Sequence, residues 1–202
     1  MITTILFDVG GVIVEEEFKD FFGQYEKETG FSKQKLYEAI VDIDFWDMYN
    51  KGKATEDQLE EKIREKTNID PKILHKIRTE WRHIIKPYPH MIELVEKIKK
   101  NYKVFCLSNV DKDTVKYINK NYPDVYKVFP GCVLSCDVGM IKPDKEIFDY
   151  TLRKFGLKKE EVIFIDNYSH NTEAAESFGI KSIKFESHDQ LVKELKMLGI
   201  QF

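Results

Sequence analysis

Short runs of apolar residues alternate with longer stretches of helical periodicity over most of the chain. The first run, Ile5-Leu6-Phe7, ends at the carboxylate of Asp8 and is followed closely by two glycines. Four further runs follow after residue 87, at 104–107, 132–135, 162–165 and 182–185. Runs of this length suit strands that are buried on both faces of a sheet. The alternation predicts an α/β fold with a doubly wound, mostly parallel, five-stranded Rossmann-like sheet.

A continuous helical pattern interrupts this alternation directly after the first strand. We predict a first helix that begins near Phe18 and stops before Gly30, and a second helix that holds both Leu36 and Trp46. Thr55 and Gln58 have capping-box spacing and predict the start of a third helix. The pattern therefore predicts an all-helical insertion.

Two prolines mark the start of the last helix of the insertion and the end of the insertion itself. Asp70 followed by Pro71 predicts the start of a fourth helix, and Pro87 ends the helical pattern. The predicted domains are a catalytic core of residues 1–14 and 87–202 and a cap of residues 15–86.

Composition and charge narrow the class of protein. A net charge of −3 gives no electrostatic case for binding nucleic acid. No apolar run approaches the roughly 20 residues of a membrane span, and the N-terminus shows no signal-peptide pattern. Three cysteines in apolar segments are expected to be free thiols in a reducing cytoplasm. We expect a cytoplasmic protein without nucleic-acid or membrane partners, either a monomer or a homodimer.

Polar residues stand at the ends of the predicted strands. They are Asp8, Ser108-Asn109 and Asp166-Asn167, with Lys142 in a loop. The carboxyl ends of parallel strands meet at one edge of a sheet, where ligands of such folds bind. A carboxylate can be a nucleophile, and two carboxylates can hold magnesium. A lysine ammonium contributes a compact positive charge.

These groups suit the transfer of a phosphoryl group. A carboxylate that attacks a phosphate meets like charge, which costs about 4 kcal/mol at ~4 Å and an effective dielectric near 20. Magnesium and Lys142 would remove that penalty. The Ser108 hydroxyl and nearby backbone amides can hold phosphate oxygens, and Gly10 and Gly11 let the backbone approach the ligand. The expected partner is a small phosphorylated molecule.

The order and spacing of these residues resemble the haloacid dehalogenase-like superfamily, which consists mostly of phosphatases. Asp8, Ser108, Lys142 and Asp166 match its four motifs in order, and the insertion is similar to its cap. Among its members the chain resembles the bacterial sugar-phosphate phosphatases related to α-glucose-1-phosphatase. The resemblance implies Asp8 as nucleophile, magnesium as cofactor, and the Gly10 carbonyl as a metal ligand.

Two positions depart from the family pattern. Gly10 stands where most family phosphatases have an aspartate that acts as general acid and base. Such an acid is typically worth a hundred- to ten-thousandfold in rate. Asn167 stands where the family usually has an aspartate ligand. Its amide oxygen can still bind magnesium but brings no charge, so Asp166 is expected to take more of the metal binding. Glu15 and His170 are candidate substitutes for the missing acid.

Several further assignments stay open from the sequence. Asn171 resembles the last acidic or amide residue of the family pattern, and it is equally suited to capping a helix. Trp46 is a candidate substrate contact in the cap, and it is also suited to the cap core. Asn109 is expected to bind substrate together with Ser108.

Three functions compete at this stage. The first is a magnesium-dependent phosphatase acting through an aspartyl-phosphate. The second is a metal-independent 2-haloacid dehalogenase, against which the cap shows no matching arginine for a substrate carboxylate. The third is a non-catalytic binding protein on a degenerate scaffold, which Gly10 and Asn167 keep open.

Overall fold

A computed structural model describes residues 1–15, 18–41 and 44–202. Its centre is a five-stranded, all-parallel sheet in the order β3-β2-β1-β4-β5. The strands are β1 Thr4–Phe7, β2 Lys103–Ser108, β3 Cys132–Leu134, β4 Val162–Asp166 and β5 Lys181–Lys184. The α/β fold class is therefore confirmed, with every strand parallel.

The central strand β1 is buried on both faces, as its apolar run predicts. Ile5 and Phe7 pack into one apolar cluster, while Leu6 packs into a second cluster on the opposite face. This alternation follows from the two-residue repeat of a strand. Phe7 is aligned with Cys106 of β2 and with Ile165 of β4. The residues that follow these positions therefore meet at one edge of the sheet.

The insertion after β1 is helical in its described part, but its first half differs from the predictions. Its helices are α1 Phe18–Gly23, α2 Glu26–Thr29, α3 Lys33–Ile40, α4 Asp44–Asn50, α5 Glu56–Thr67 and α6 Pro71–Glu80. The prediction of a single first helix was wrong, because α1 ends at Gly23 and a separate helix, α2, begins at Glu26. The single second helix was also wrong, because α3 ends at Ile40 and α4 starts at Asp44. Residues 42 and 43, which the predicted second helix also includes between Leu36 and Trp46, lie outside the described residues.

The second half of the insertion follows its start signals. Thr55 and Gln58 form the expected capping box before α5, with the Gln58 N–H 3.2 Å from Thr55 Oγ1. Asp70 caps α6 and Pro71 is its first residue. A 3₁₀ turn at Trp81–Ile84 then leads out of the insertion.

The chain enters and leaves the insertion through two adjacent segments. The Glu15 N–H donates to the Lys86 carbonyl at 2.8 Å, and the Tyr88 N–H donates to the Ile13 carbonyl at 2.8 Å. Val14 and Pro87 form an antiparallel bridge between these bonds. This pairing supports the division into a core and a cap, which stays a prediction.

The remaining helices follow the insertion in the chain. They are α7 Pro89–Ile98, α8 Lys112–Asn121, α9 Asp124–Lys127, α10 Ser135–Val138, α11 Lys145–Phe155, α12 Ser169–Phe178 and α13 His188–Met197. Ser135, predicted as the last residue of a strand, instead begins the short helix α10. In the described part of the chain, no helix is both long enough and apolar enough to cross a membrane.

Candidate active site

Three charged side chains meet at the carboxyl edge of the sheet. Asp8 follows β1 and Asp166 ends β4, while Lys142 reaches them from the loop after α10. The Lys142 Nζ lies 2.8 Å from Asp8 Oδ1 and 2.6 Å from Asp166 Oδ2. All three residues are buried, with exposed fractions of 5%, 0% and 2% for Asp8, Asp166 and Lys142. The sequence therefore predicted three residues that the fold brings into direct contact.

This cluster holds two carboxylates and one ammonium, so its formal charge is −1 when all three groups are ionised. Burial is the main cause that raises the pKa of Asp8 to about 7, against the opposing effect of Lys142. Burial alone would lower the pKa of Lys142, but Asp166 and Asp8 outweigh it and raise that pKa. Lys142 therefore stays charged, and the site favours one further positive charge beside Asp8.

Asn109 fixes the backbone of Lys142. Its Nδ2 donates to the Lys142 carbonyl at 2.8 Å, and its Oδ1 accepts from the Lys142 N–H at 2.8 Å. Two such bonds set both the position and the direction of the lysine backbone. The side chain of Asn109, expected to bind substrate, thus holds the loop that carries Lys142.

The oxygens of Asp166 are already engaged by neighbouring donors. Oδ1 accepts from the Tyr168 N–H at 2.8 Å, and Oδ2 accepts from Lys142. The Asn171 Nδ2 lies 3.1 and 3.0 Å from the two oxygens. Asn171 is therefore part of the site, as a donor that orients the Asp166 carboxylate.

Two buried amide oxygens lack a hydrogen-bond partner within the described residues. They are Oδ1 of Asn167 and Oδ1 of Asn171. Asn167 lies over Gly11, where an added Cβ would stand 2.2 Å from the Asn167 Nδ2. Gly11 also has a φ of 69°, so a side chain would be strained there for two reasons. Buried polar atoms are normally paired, so these two oxygens point to a missing donor or cation.

The glycine loop is tightly folded between Asp8 and the cap. The Val9 N–H donates to Asp8 Oδ1 at 2.7 Å, and the Gly11 N–H donates to the Val14 carbonyl at 2.8 Å. Gly10 is paired with Val14 as an isolated bridge. On the neighbouring strand, Ser108 is buried and ends β2, so it lies at the same edge of the sheet as Asp8.

Three sequence candidates remain, namely Trp46, Glu15 and His170. The Trp46 ring is partly buried and contacts the rings of Tyr49 and Trp81 at centroid distances of 5.9 and 6.1 Å. Glu15 lines an open cavity of about 430 Å³ at the base of the cap. His170 is exposed. Substrate contact by Trp46, and proton donation by Glu15 or His170, stay predictions.

Arg82, which the sequence analysis overlooked, joins the insertion to the sheet domain. Its guanidinium lies 2.9 Å from Glu56 Oε1 and donates to the Tyr49 hydroxyl at 2.9 Å, both in the insertion. It also lies 3.6 Å from Asp111 Oδ1, and its Nε donates to Thr114 Oγ1 at 3.4 Å, both in the core. Nothing in its local sequence signals this role, because the partners come from three distant segments, at Tyr49, at Glu56 and at the start of α8.

Ser135 was also overlooked. Its hydroxyl is fully buried and contacts both the loop after β2 and the insertion. A polar residue directly after an apolar strand run was the signal that identified Ser108, and the same signal stands at Ser135.

Comparison with known proteins identifies the family. The model of the family described as "haloacid dehalogenase-like hydrolase" matches residues 2–179. The chain belongs to that family. The sesquiterpene phosphatase astK of Aspergillus oryzae is 21% identical over 194 residues, which cover 96% of this chain and 94% of that protein. The drimenol cyclase drtB of Aspergillus calidoustus is 24% identical over 199 residues, 96% of this chain. The chain spans only 36% of that cyclase.

A solved structure confirms the fold. A haloacid dehalogenase family enzyme of Bacteroides thetaiotaomicron, in complex with magnesium and inorganic phosphate, is similar with a TM-score of 0.74 and 23% identity. The match covers 95% of this chain and 99% of that one. The chain is thus a haloacid dehalogenase-like hydrolase, and phosphatases are among its relatives.

Proposed function

We propose that this protein is a magnesium-dependent phosphatase of a small phosphorylated metabolite, and that Asp8 carries the phosphoryl group between two half-reactions. The observation that carries the proposal is the buried contact of Asp8 with Lys142 at the carboxyl edge of the sheet. A carboxylate in this place can attack phosphorus, and the ammonium beside it neutralises the charge of the phosphate oxygens.

The proposed reaction has two steps. Because Asp8 Oδ1 is held by Val9 and Lys142, we propose that Oδ2 attacks phosphorus. The bond between phosphorus and the ester oxygen breaks, and that oxygen leaves with the bonding electrons. Water then attacks phosphorus and loses a proton, which balances the proton taken up by the departed ester oxygen. The acyl-phosphate bond breaks, inorganic phosphate is released, and the Asp8 carboxylate is restored. Ser108 is proposed to hold a phosphate oxygen through both steps.

The residues present fit a magnesium ion, since the site favours positive charge and offers unpaired amide oxygens. We propose that Asp8, the Gly10 carbonyl and Asn167 Oδ1 would hold it. Asp166 stays a candidate ligand, and its proposed main role is to hold Lys142, whose Nζ lies 2.6 Å from Asp166 Oδ2. When bound, magnesium supplies positive charge to the phosphate oxygens.

Gly10 shapes the proposed substrate class. With no carboxylic acid at this position, the leaving oxygen takes its proton late or from another donor. Esters with a well-stabilised leaving oxyanion are then favoured, which agrees with an anomeric sugar phosphate as substrate. One relative of this chain is a sesquiterpene phosphatase rather than a sugar phosphatase, so the sugar remains the finer part of the proposal. A cytoplasmic location and a monomeric or homodimeric state likewise remain proposals.

Release of phosphate from p-nitrophenyl phosphate tests the function. We expect turnover with magnesium, loss of turnover in EDTA, and loss of turnover in Asp8→Asn. The matched control is Asp149→Asn, since Asp149 pairs with Arg153 at the surface and its side chain is 51% exposed. Chloride release from 2-chloropropionate in EDTA would instead favour the dehalogenase. Phosphate binding without turnover of any ester would favour a binding protein.

A further inference from the structure

The hydroxyl of Ser135 lies where three segments of the chain meet. The Val110 N–H donates to Ser135 Oγ at 2.8 Å, and Val110 belongs to the loop after β2. The same Oγ lies 2.7 Å from the Asn50 carbonyl in the insertion and 3.1 Å from the Val110 carbonyl. Ser135 itself is completely buried.

A serine hydroxyl has a single hydrogen, so Ser135 can donate to only one of these two carbonyls at a time. The distances favour Asn50 in the arrangement seen here. If the insertion moved away, rotation about the C–O bond would redirect the hydrogen to the Val110 carbonyl. The hydroxyl therefore has an acceptor in both arrangements. The acceptor differs between them, because it is the Asn50 carbonyl in one and the Val110 carbonyl in the other.

Close to Ser135, the insertion also approaches the backbone of Cys136. Gly52 has a φ of 66°, and a Cβ added there would stand 2.5 Å from the Cys136 carbonyl oxygen. Lys51 lies 3.5 Å from Asp144, two residues after Lys142. We call residues 50–53 the cap turn. Its main chain rests on the start of α10, and only glycine permits that approach at residue 52.

The segment that Ser135 holds on the core side is part of the candidate active site. Val110 follows Ser108, the proposed phosphate ligand, and Asn109, whose side chain fixes the Lys142 backbone. Val110 is therefore the direct neighbour in sequence of Asn109, whose side chain positions the active-site lysine. A shift of the Val110 backbone is expected to move Asn109 as well.

We propose that Ser135 is a positioning residue that couples the seating of the cap turn to the geometry of residues 108–110. With the turn seated, the hydroxyl donates to Asn50 and leaves the Val110 carbonyl free to adjust. With the turn lifted, it donates to Val110 and holds the loop in a second arrangement. This inference rests on the proposed function only for its effect on catalysis, because the coupling itself needs no substrate.

Hydrogen–deuterium exchange of the full chain without ligand tests the coupling. In Ser135→Ala, the seated turn leaves the buried Asn50 carbonyl without its donor. In the lifted arrangement water can replace the lost hydroxyl at the Val110 carbonyl, so lifting is favoured by roughly tenfold. We expect faster exchange at both 50–53 and 108–110. In Gly52→Ala, which lifts the turn but keeps the hydroxyl, we expect faster exchange at 50–53 while the Val110 amide stays protected.

The double variant decides between coupling and independent damage. If Ser135 acts through the cap turn, the double variant exchanges at 50–53 about as fast as Gly52→Ala alone, because the turn is already lifted. Additive effects, or unchanged exchange at 50–53 in Ser135→Ala, would overturn the proposal. Gly30→Ala is the matched control, since Gly30 has a φ of 73° in the insertion with nothing within 4 Å of an added Cβ.

Kinetics separate this inference from the proposed function. With p-nitrophenyl phosphate and magnesium, we expect Ser135→Ala and Gly52→Ala to lower kcat by a similar factor, roughly tenfold, while Thr151→Val does not. Thr151 is also a fully buried hydroxyl, but it bonds within its own helix to the Ile147 carbonyl. If the wild type hydrolyses no phosphate ester while the exchange results hold, the proposed function fails and the coupling stands. If turnover is present and the exchange effects are absent, the coupling alone fails.

Discussion

Asp8→Asn is expected to stabilise the metal-free protein at pH 8 although it abolishes turnover. The substitution removes one charge from a buried cluster of two carboxylates and one ammonium, so the cluster changes from a net charge of −1 to neutral. Lys142 keeps its contact with Asp166 at 2.6 Å, and an amide oxygen at residue 8 can still accept from the Val9 N–H.

The size of the effect follows from the pKa of Asp8, which burial raises from 3.8 to about 7. A raised carboxyl pKa means that the folded state binds more protons than the unfolded state between these two values. Its contribution to stability is present below pH 3.8 and is lost as the pH rises through 7. At 1.36 kcal/mol per pKa unit, the loss amounts to about 4 kcal/mol at pH 8.

Urea unfolding in EDTA at pH 4 and at pH 8 measures this effect. The free energy of unfolding of Asp8→Asn should be close to the wild-type value at pH 4 and should exceed it by a few kcal/mol at pH 8. Adding magnesium at 100 times its Kd should stabilise the wild type at pH 8 by about 2.7 kcal/mol and leave the variant unchanged. The Asp149→Asn control should change stability by less than about 1 kcal/mol at either pH, because its ion pair is exposed. A variant no more stable than wild type at pH 8 would refute the view of Asp8 as a buried, incompletely neutralised carboxylate.

Three other predictions concern residues around Asp8. Lys142→Met should destabilise the protein by about 3–5 kcal/mol in urea unfolding at pH 8, because it leaves two buried carboxylates unpaired; an effect below 1 kcal/mol would contradict the buried pairing. Asn167→Asp should tighten magnesium binding measured by calorimetry, because it adds a charge to the proposed ligand set; equal or weaker binding would count against Asn167 as a ligand. Gly11→Ala should lower both stability and phosphatase activity, because a Cβ there meets the Asn167 amide; wild-type values in both assays would show that Asn167 is free to move away.

The sequence was sufficient for the sheet and for the charged residues at its edge. Short apolar runs of about four residues, alternating with helical segments, are typical of buried parallel strands. Asp8 and Asp166 lie close together because parallel strands end at the same edge of the sheet. Lys142 reaches the same edge through a loop, and here the family resemblance supplied what periodicity could not.

Long-range partners could not be predicted in the same way. The place of Asn109 beside Ser108 predicts substrate binding, which stays a prediction, but it does not reveal that the Asn109 side chain pairs with the Lys142 backbone. The break between α3 and α4 was missed because apolar periodicity continues past Ile40 without glycine or proline. Local sequence signals do not report which distant backbone a side chain meets, so these features required the fold.

The most direct test of the account is the detection of phosphate on Asp8. The protein is mixed with magnesium and p-nitrophenyl phosphate, quenched in acid within the first turnover, and digested for mass spectrometry under acidic conditions. The account predicts that the peptide containing Asp8 gains the mass of one phosphoryl group, and that the gain is absent in Asp8→Asn. Turnover at a normal rate without any phosphorylated peptide in the first turnover, or with phosphate on another residue, would contradict it.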